Sequence, residues 1–173
     1  MRDEKTFTFV KISYNPVEDF FRRLFIGDIK AKMLIIVSPI ITTLSNTRFS
    51  LERLRRKIEE EKIFTYIITR EPNESYHKEA VDILKDSDFV EIRYNNSLHA
   101  KLYICALEEP IFAILGSGNL TRTSIEKNIE IGMMLFPLDR GKQILHELYH
   151  WGSVRLRTLK ESKIVKKITY ERR

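Results

Sequence analysis

His99 and Lys101 stand two residues apart in LHAKLYICA (98–106), Gly116-Ser117-Gly118-Asn119 follows the apolar run IFAIL, and Glu130 is the one acid in IEIG (129–132). By charge this set offers one imidazole, one ammonium, several neutral donors and a single carboxylate. The inventory suits a phosphoryl group. Lys101 and Asn119 can stabilise charge that develops on the phosphoryl oxygens, and losing one such donor typically costs about 3 kcal/mol. A site built on a divalent metal needs converging carboxylates. Glu130 has none beside it, so the expected chemistry uses no metal and no cofactor.

Strands and a turn must bring these residues together. Alternation along a strand puts His99, Lys101, Tyr103 and Cys105 on one side, with Leu98, Ala100, Leu102 and Ile104 turned into the core. The same parity sends Ile129, Ile131, Met133 and Leu135 inward and leaves Glu130 opposite, with Gly132 beside it. Between the two strands, the glycines of Gly116-Ser117-Gly118-Asn119 let backbone N–H groups approach an anion closely. Ser117 and Gly118 are the expected phosphate-binding residues, next to Asn119.

The rest of the chain supplies a frame. Strands are expected at Thr6 to Ser13, Met33 to Val37, Ile63 to Thr69, Phe89 to Tyr94, Ala100 to Ala106, Ile111 to Leu115 and Ile129 to Leu135. Helices are expected at Val17 to Lys30, Leu51 to Glu61 behind the N-cap Ser50, Glu74 to Lys85, a short turn Leu120 to Lys127, and Leu138 to about Lys160 with a break near Gly152. This order predicts an α/β fold, a mixed central sheet with helices on both faces.

The chain has 173 residues, of which 43% are apolar and 31% charged, within the range of one domain able to bury its own core. Its longest apolar run, Met33 to Ile41, is far short of the ~20 residues a membrane helix needs. The N-terminus lacks the pattern of a signal peptide, so a cytoplasmic protein with no membrane partner is expected. The lone Cys105 is expected as a small apolar residue. The net charge of +6 resides in residues 155–173, which hold eight basic residues against Glu161 and Glu171. Residues 1–155 are therefore expected to form the catalytic domain, and 156–173 a basic tail, either part of that domain or flexible. Arg155, Arg157, Lys160, Lys163, Lys166 and Lys167 are the candidate contacts to a nucleic-acid backbone.

His99-x-Lys101, Gly116-Ser117-x-Asn119 and Glu130, in that order, resemble the half-site of the phospholipase D superfamily. MLIIVSPII, LERLRRKIEEE and IFTYIIT resemble its N-terminal βαβ portion, so the similarity spans roughly Ile29 to Leu135. The family's motif has an Asp shortly after the Lys. Here that place, Ala106 to Leu107, is apolar, which leans toward metal-independent nucleases and away from lipid-specific phospholipases. The resemblance implies a phospholipase D-like sandwich and two successive displacements. His99 attacks phosphorus to give a phosphohistidine, a second histidine protonates the leaving oxygen, water releases the product, and Glu130 orients an imidazole.

This chain has no second His-x-Lys. A two-fold homodimer that brings two copies of His99 together is the economical answer. The expected activity is hydrolysis of nucleic acid, DNA ahead of RNA. The alternatives are a non-catalytic nucleic-acid-binding dimer that keeps the phosphate pocket, a phospholipid phosphodiesterase, and a zinc peptidase. The last rests on His146-Glu147-Leu148-Tyr149-His150, which matches H-E-x-x-H with Glu161 or Glu171 as third ligand, but it lacks the usual continuation. Tyr149 and Trp151 are expected to pack rather than stack on bases. Glu126 competes with Glu130 for the carboxylate role from the short helical turn.

Overall fold

Continuous apolar runs become strands covered on both faces. The structure, a computed structural model, describes residues 8–27 and 29–170. In chain order these form β1 (Val10–Ser13), α1 (Pro16–Phe25), β2 (Met33–Val37), α2 (Leu51–Glu60), β3 (Phe64–Thr69), α3 (Ser75–Lys85), β4 (Val90–Tyr94), β5 (Leu102–Ala106), β6 (Pro110–Gly116), α4 (Arg122–Glu126), β7 (Gly132–Leu135), α5 (Arg140–His150), a π-helical turn (Trp151–Arg155), α6 (Leu156–Thr158) and β8 (Lys163–Lys166). Among the described residues the strands make one sheet in the order β1-β7-β6-β5-β2-β3-β4-β8. Strands β2, β3 and β4 are parallel to one another, and every other pairing is antiparallel.

Side-chain alternation divides the interior into two cores. Leu34, Ile36, Ile67, Ile92, Tyr103, Cys105 and Ile114 meet α1, α2 and α3 on one face. Ile35, Val37, Ile68, Leu102, Ile104, Ala113 and Leu135 meet Leu145 and Leu156 on the other. Helices therefore cover both faces, as the alternating rhythm predicts. Helix α2 illustrates how. The Ser50 hydroxyl accepts the Arg53 N–H at 3.3 Å, and Leu51, Leu54 and Ile58 are all fully buried, contributing about 1.5–3 kcal/mol each. The break at Gly152 takes the form of the π-helical turn, which lies so close to β2 that a Cβ on Gly152 would stand 3.0 Å from Ile35 Cγ2.

The register sets the site end of the sheet. Val37 pairs with Leu102, Leu102 with Leu115, Gly116 with Gly132, and Gly132 with Ser13. The segments just beyond these residues, 95–101, 117–121 and 128–131, thus emerge side by side.

Five expectations need correction. The strand proposed from Ala100 starts at Leu102, so His99 and Lys101 lie on the approach to β5, and the helix proposed to Lys30 ends at Phe25. Of the strand Thr6 to Ser13, Val10–Ser13 forms, while Thr6 and Phe7 lie outside the described residues. The strand proposed from Ile129 starts at Gly132, so Ile129 and Ile131 lie before β7, and Ile129, Ile131 and Met133 are exposed rather than buried; only Leu135 of that parity is covered. Finally, the basic segment contributes an unforeseen edge strand, β8, antiparallel to β4.

Candidate active site

The floor of the site is main chain against main chain. A Cβ on Gly116 would stand 2.6 Å from the Ile131 carbonyl oxygen and 2.8 Å from Gly132 Cα, and one on Gly132 would meet the Leu115 oxygen at 2.9 Å. Only glycine at both positions lets β6 and β7 lie so close. The N–H groups of Gly116 and Ser117 are spent there, on the carbonyls of Lys101 (3.3 Å) and Ile131 (3.0 Å). The turn glycines therefore draw strands together rather than opening those N–H groups to an anion.

Ser117 is turned inward too. Its hydroxyl donates to Glu130 Oε2 and accepts the Ile131 N–H at 3.1 Å. Asn128 donates to the other Glu130 oxygen at 3.2 Å, and the carboxylate is 8% exposed. Ser117, expected to bind phosphate, is thus hydrogen-bonded to Glu130 and to the strand that carries it. Gly118 packs against Val17, with Glu130 close by. Beneath it, the buried Tyr103 hydroxyl donates to the Gly118 carbonyl at 2.8 Å, and burial pushes that phenol far above its ordinary range, so it stays a donor. The N–H of Leu120 is held by the Ser38 hydroxyl at 2.8 Å. Thus Tyr103 and Ser38 pin the turn that carries Asn119. The Asn119 side-chain oxygen is buried without a hydrogen-bond partner among the described residues, an arrangement worth about 1–3 kcal/mol of unmet hydrogen bonding.

His99 is exposed. The Lys101 ammonium donates to its carbonyl at 2.8 Å and lies 3.1 Å from its Nδ1. Burial holds the Lys101 amine below its usual range and the nearby Arg70 charge acts the same way, while Glu130 opposes them. Arg70, which sequence reasoning missed, donates from Nε to the Leu98 carbonyl at 2.7 Å and so braces the segment bearing His99. No hydrogen bond joins Glu130 to His99 within one chain: the carboxylate is engaged by Ser117 and Asn128.

Solved structures share this architecture. Nuc from Salmonella typhimurium, a phospholipase D family member, matches with a TM-score of 0.65 at 16% identity over 91% of this chain and 98% of its own. The fold is that of the phospholipase D superfamily. NucT from Helicobacter pylori matches with a TM-score of 0.61 at 15% identity, covering 90% of this chain and 96% of its own. TrmBL2, an archaeal chromatin protein with a novel mode of DNA binding, matches with a TM-score of 0.58 at 11% identity over 95% of this chain and 57% of its own. The sequence matches no family model and no curated protein. In this phospholipase D fold the structure gathers His99, Lys101, Ser117, Gly118, Asn119 and Glu130 at one end of β5, β6 and β7.

The other candidates are dispersed. Arg157 is part of the interior: its guanidinium donates twice to Glu91, at 2.8 Å each, and lies 3.7 Å above the Tyr66 ring. Its guanidinium is thus engaged within the fold. Arg155, Lys160, Lys163 and Lys167 are exposed, and Lys166 Nζ donates to Thr169 at 3.4 Å. Lys163, paired with Tyr94, is at the site end of the sheet, and Lys166, paired with Ile92, is further from it. His146 binds Glu109 at 2.6 Å, Glu171 lies outside the described residues, and no three His, Cys, Asp or Glu converge for a metal among the described residues. Glu126 is paired with Arg122 at 2.6 Å. Tyr149 and Trp151 pack on the second core, and Cys105 is buried in the first. Among the described residues no helix is long and apolar enough to cross a membrane.

Proposed function

We propose that this chain is one subunit of a homodimeric, metal-independent nuclease that hydrolyses nucleic-acid phosphodiester bonds, DNA ahead of RNA, through a phosphohistidine. The reading is carried by the meeting of His99, Lys101, Asn119 and Glu130 at one end of the sheet with no other histidine among them. His77 is buried against Thr69, and His146 and His150 lie on α5.

In the first displacement His99 Nε2 attacks phosphorus and the bond to the leaving oxygen breaks. That oxygen takes its proton from His99 of the partner subunit. In the second, a water attacks the same phosphorus, gives its proton to that partner imidazole, and the P–N bond breaks to restore His99. Attack through Nε2 needs the neutral tautomer with Nδ1 protonated, which a carboxylate acceptor favours; within one chain Lys101 Nζ is the group near Nδ1 and Glu130 is held by Ser117 and Asn128, so in this reading the acceptor comes with the second subunit. Lys101 and Asn119 stabilise charge on the non-bridging oxygens. Two imidazoles in one pocket titrate as a coupled pair, one neutral and one cationic, and so divide the roles of nucleophile and acid.

An exposed apolar surface supports the dimer. Ile12 on β1, Tyr14, Ile129, Ile131 and Met133 form an exposed apolar strip running to the same end of the sheet as Glu130. An isologous contact through this strip would cover it and bring two half-sites near one axis. The likeness to TrmBL2 favours one second reading, a dimer that binds nucleic acid without cutting it. Labelled single- and double-stranded DNA incubated in EDTA separates the two. Cleavage that persists in EDTA and is lost in Lys101→Ala, with binding kept, supports the nuclease; tight binding with no cleavage supports the binding dimer. A phospholipid substrate in the same assay tests the lipid reading, and inhibition by EDTA would overturn metal independence.

A further inference from the structure

The carboxyl ends of β2 and β3, the segment after β4 and the first turn of α3 enclose a cleft of about 440 Å³. Pro39, Arg70, Glu71, Glu74, Tyr76 and Asn96 line it. Crevices at the carboxyl ends of parallel strands are where open α/β sheets bind ligands. Arg70 ties this one to the catalytic residues. Its Nε holds the Leu98 carbonyl, one residue before His99, and its terminal nitrogens have no hydrogen bond or ion pair among the described residues. Its charge also reaches Lys101, where it adds to burial in holding that amine below its usual range.

The charges of the cleft discriminate among ligands. With Glu71 and Glu74 set against Arg70, the interior disfavours a phosphate, whereas carboxylate and amide acceptors match the exocyclic amines of a nucleobase. Glu71 is held in place by Asn96, whose Oδ1 accepts the Glu71 backbone N–H at 2.9 Å. Tyr76 is 47% exposed and offers an aromatic face at the same cleft, the platform on which unpaired bases stack. We propose that the cleft seats the base of a nucleotide flanking the scissile phosphate, stacked on Tyr76, with Arg70 at the boundary contacting the sugar-phosphate backbone. This assignment rests on the nuclease reading and adds to it a strand that enters with one base unstacked.

The test uses oligonucleotides in which one abasic residue is stepped through the positions around the cut, with wild type, Tyr76→Phe and Tyr76→Ala. Removing one particular base should lower wild-type kcat/KM about tenfold, the scale of a lost base–aromatic stack. Tyr76→Phe should keep that penalty and Tyr76→Ala should abolish it. A wild type indifferent to abasic residues at every flanking position, or a Tyr76→Ala with an undiminished penalty, overturns the proposal. Affinity for the same series, measured by fluorescence anisotropy, is read in parallel. If no oligonucleotide is cut, a position-specific affinity penalty lost in Tyr76→Ala supports the cleft while sinking the nuclease reading, and the absence of any such penalty sinks both.

Discussion

Ser117 and Glu130 are bonded across the junction of β6 and β7, and the same serine hydroxyl accepts the Ile131 N–H. One small side chain thus fixes both the carboxylate and the strand that carries it. Ser117→Ala leaves the Glu130 oxygen and the Ile131 N–H without that partner, a loss of about 1–3 kcal/mol. If Glu130 acts only when oriented, kcat should fall about ten- to a hundredfold while KM changes little. Steady-state kinetics checks this; a change confined to KM would place Ser117 in substrate binding instead.

The shared site makes a demand on mixed dimers. Wild type and His99→Ala, refolded together and separated by differential tags, should give heterodimers without turnover, because each displacement needs both imidazoles. A heterodimer with half the wild-type rate would show that each chain acts alone.

Docking through the exposed strip is tested at its centre. Ile131→Asp places a charge where an apolar contact is expected, while in the single chain the side chain faces solvent. The variant should keep its melting temperature as a monomer, sediment as a monomer and lose at least a hundredfold in rate. A dimeric Ile131→Asp with full activity would put the interface elsewhere.

Glu91 predicts an acid limit to stability. Burial raises its pKa, but hydrogen bonds and charge from Arg157 and Arg93 outweigh this and hold the carboxyl below its ordinary 4.5. A depressed folded-state value means that this contribution is complete above about 4.5, and is lost as the pH falls through the lower folded value. Glu91→Gln should therefore lower stability near neutrality and flatten the pH dependence of chemical denaturation below 4.5. Arg157→Ala, which removes two of the hydrogen bonds to Glu91 and leaves Arg93 as its partner at 2.7 Å, should cost about 3 kcal/mol. Its affinity for DNA, measured where it is folded, should be unchanged.

Much of the site could be read from residue order because strand parity is a local property. Met33–Val37 was legible as a strand covered on both faces, since burial on two sides leaves an unbroken apolar run. Parity also placed Tyr103 on the side of His99, although it could not say that a helix covers Tyr103 and solvent meets His99. The same limit explains Ile129 and Ile131: alternation assigns a face, but it does not say that the strand begins only at Gly132 or which face is covered. Strand β8 was hidden because KIVK is exposed and lysine-flanked, and gains its partner, β4, from distant sequence. Arg70 escaped notice for a related reason. Its link to the site runs to a backbone oxygen 28 residues away, which no side-chain pattern announces.

The Gly116–Gly132 contact also bears on how such a protein could diversify. Where two backbones touch, spacing follows from covalent geometry instead of side-chain volume, so core replacements elsewhere have little leverage over the relative placement of Asn119 and Glu130. Variation at the rim, at Tyr76 or Glu71, can then retune which molecules are accepted while the reaction itself is inherited intact.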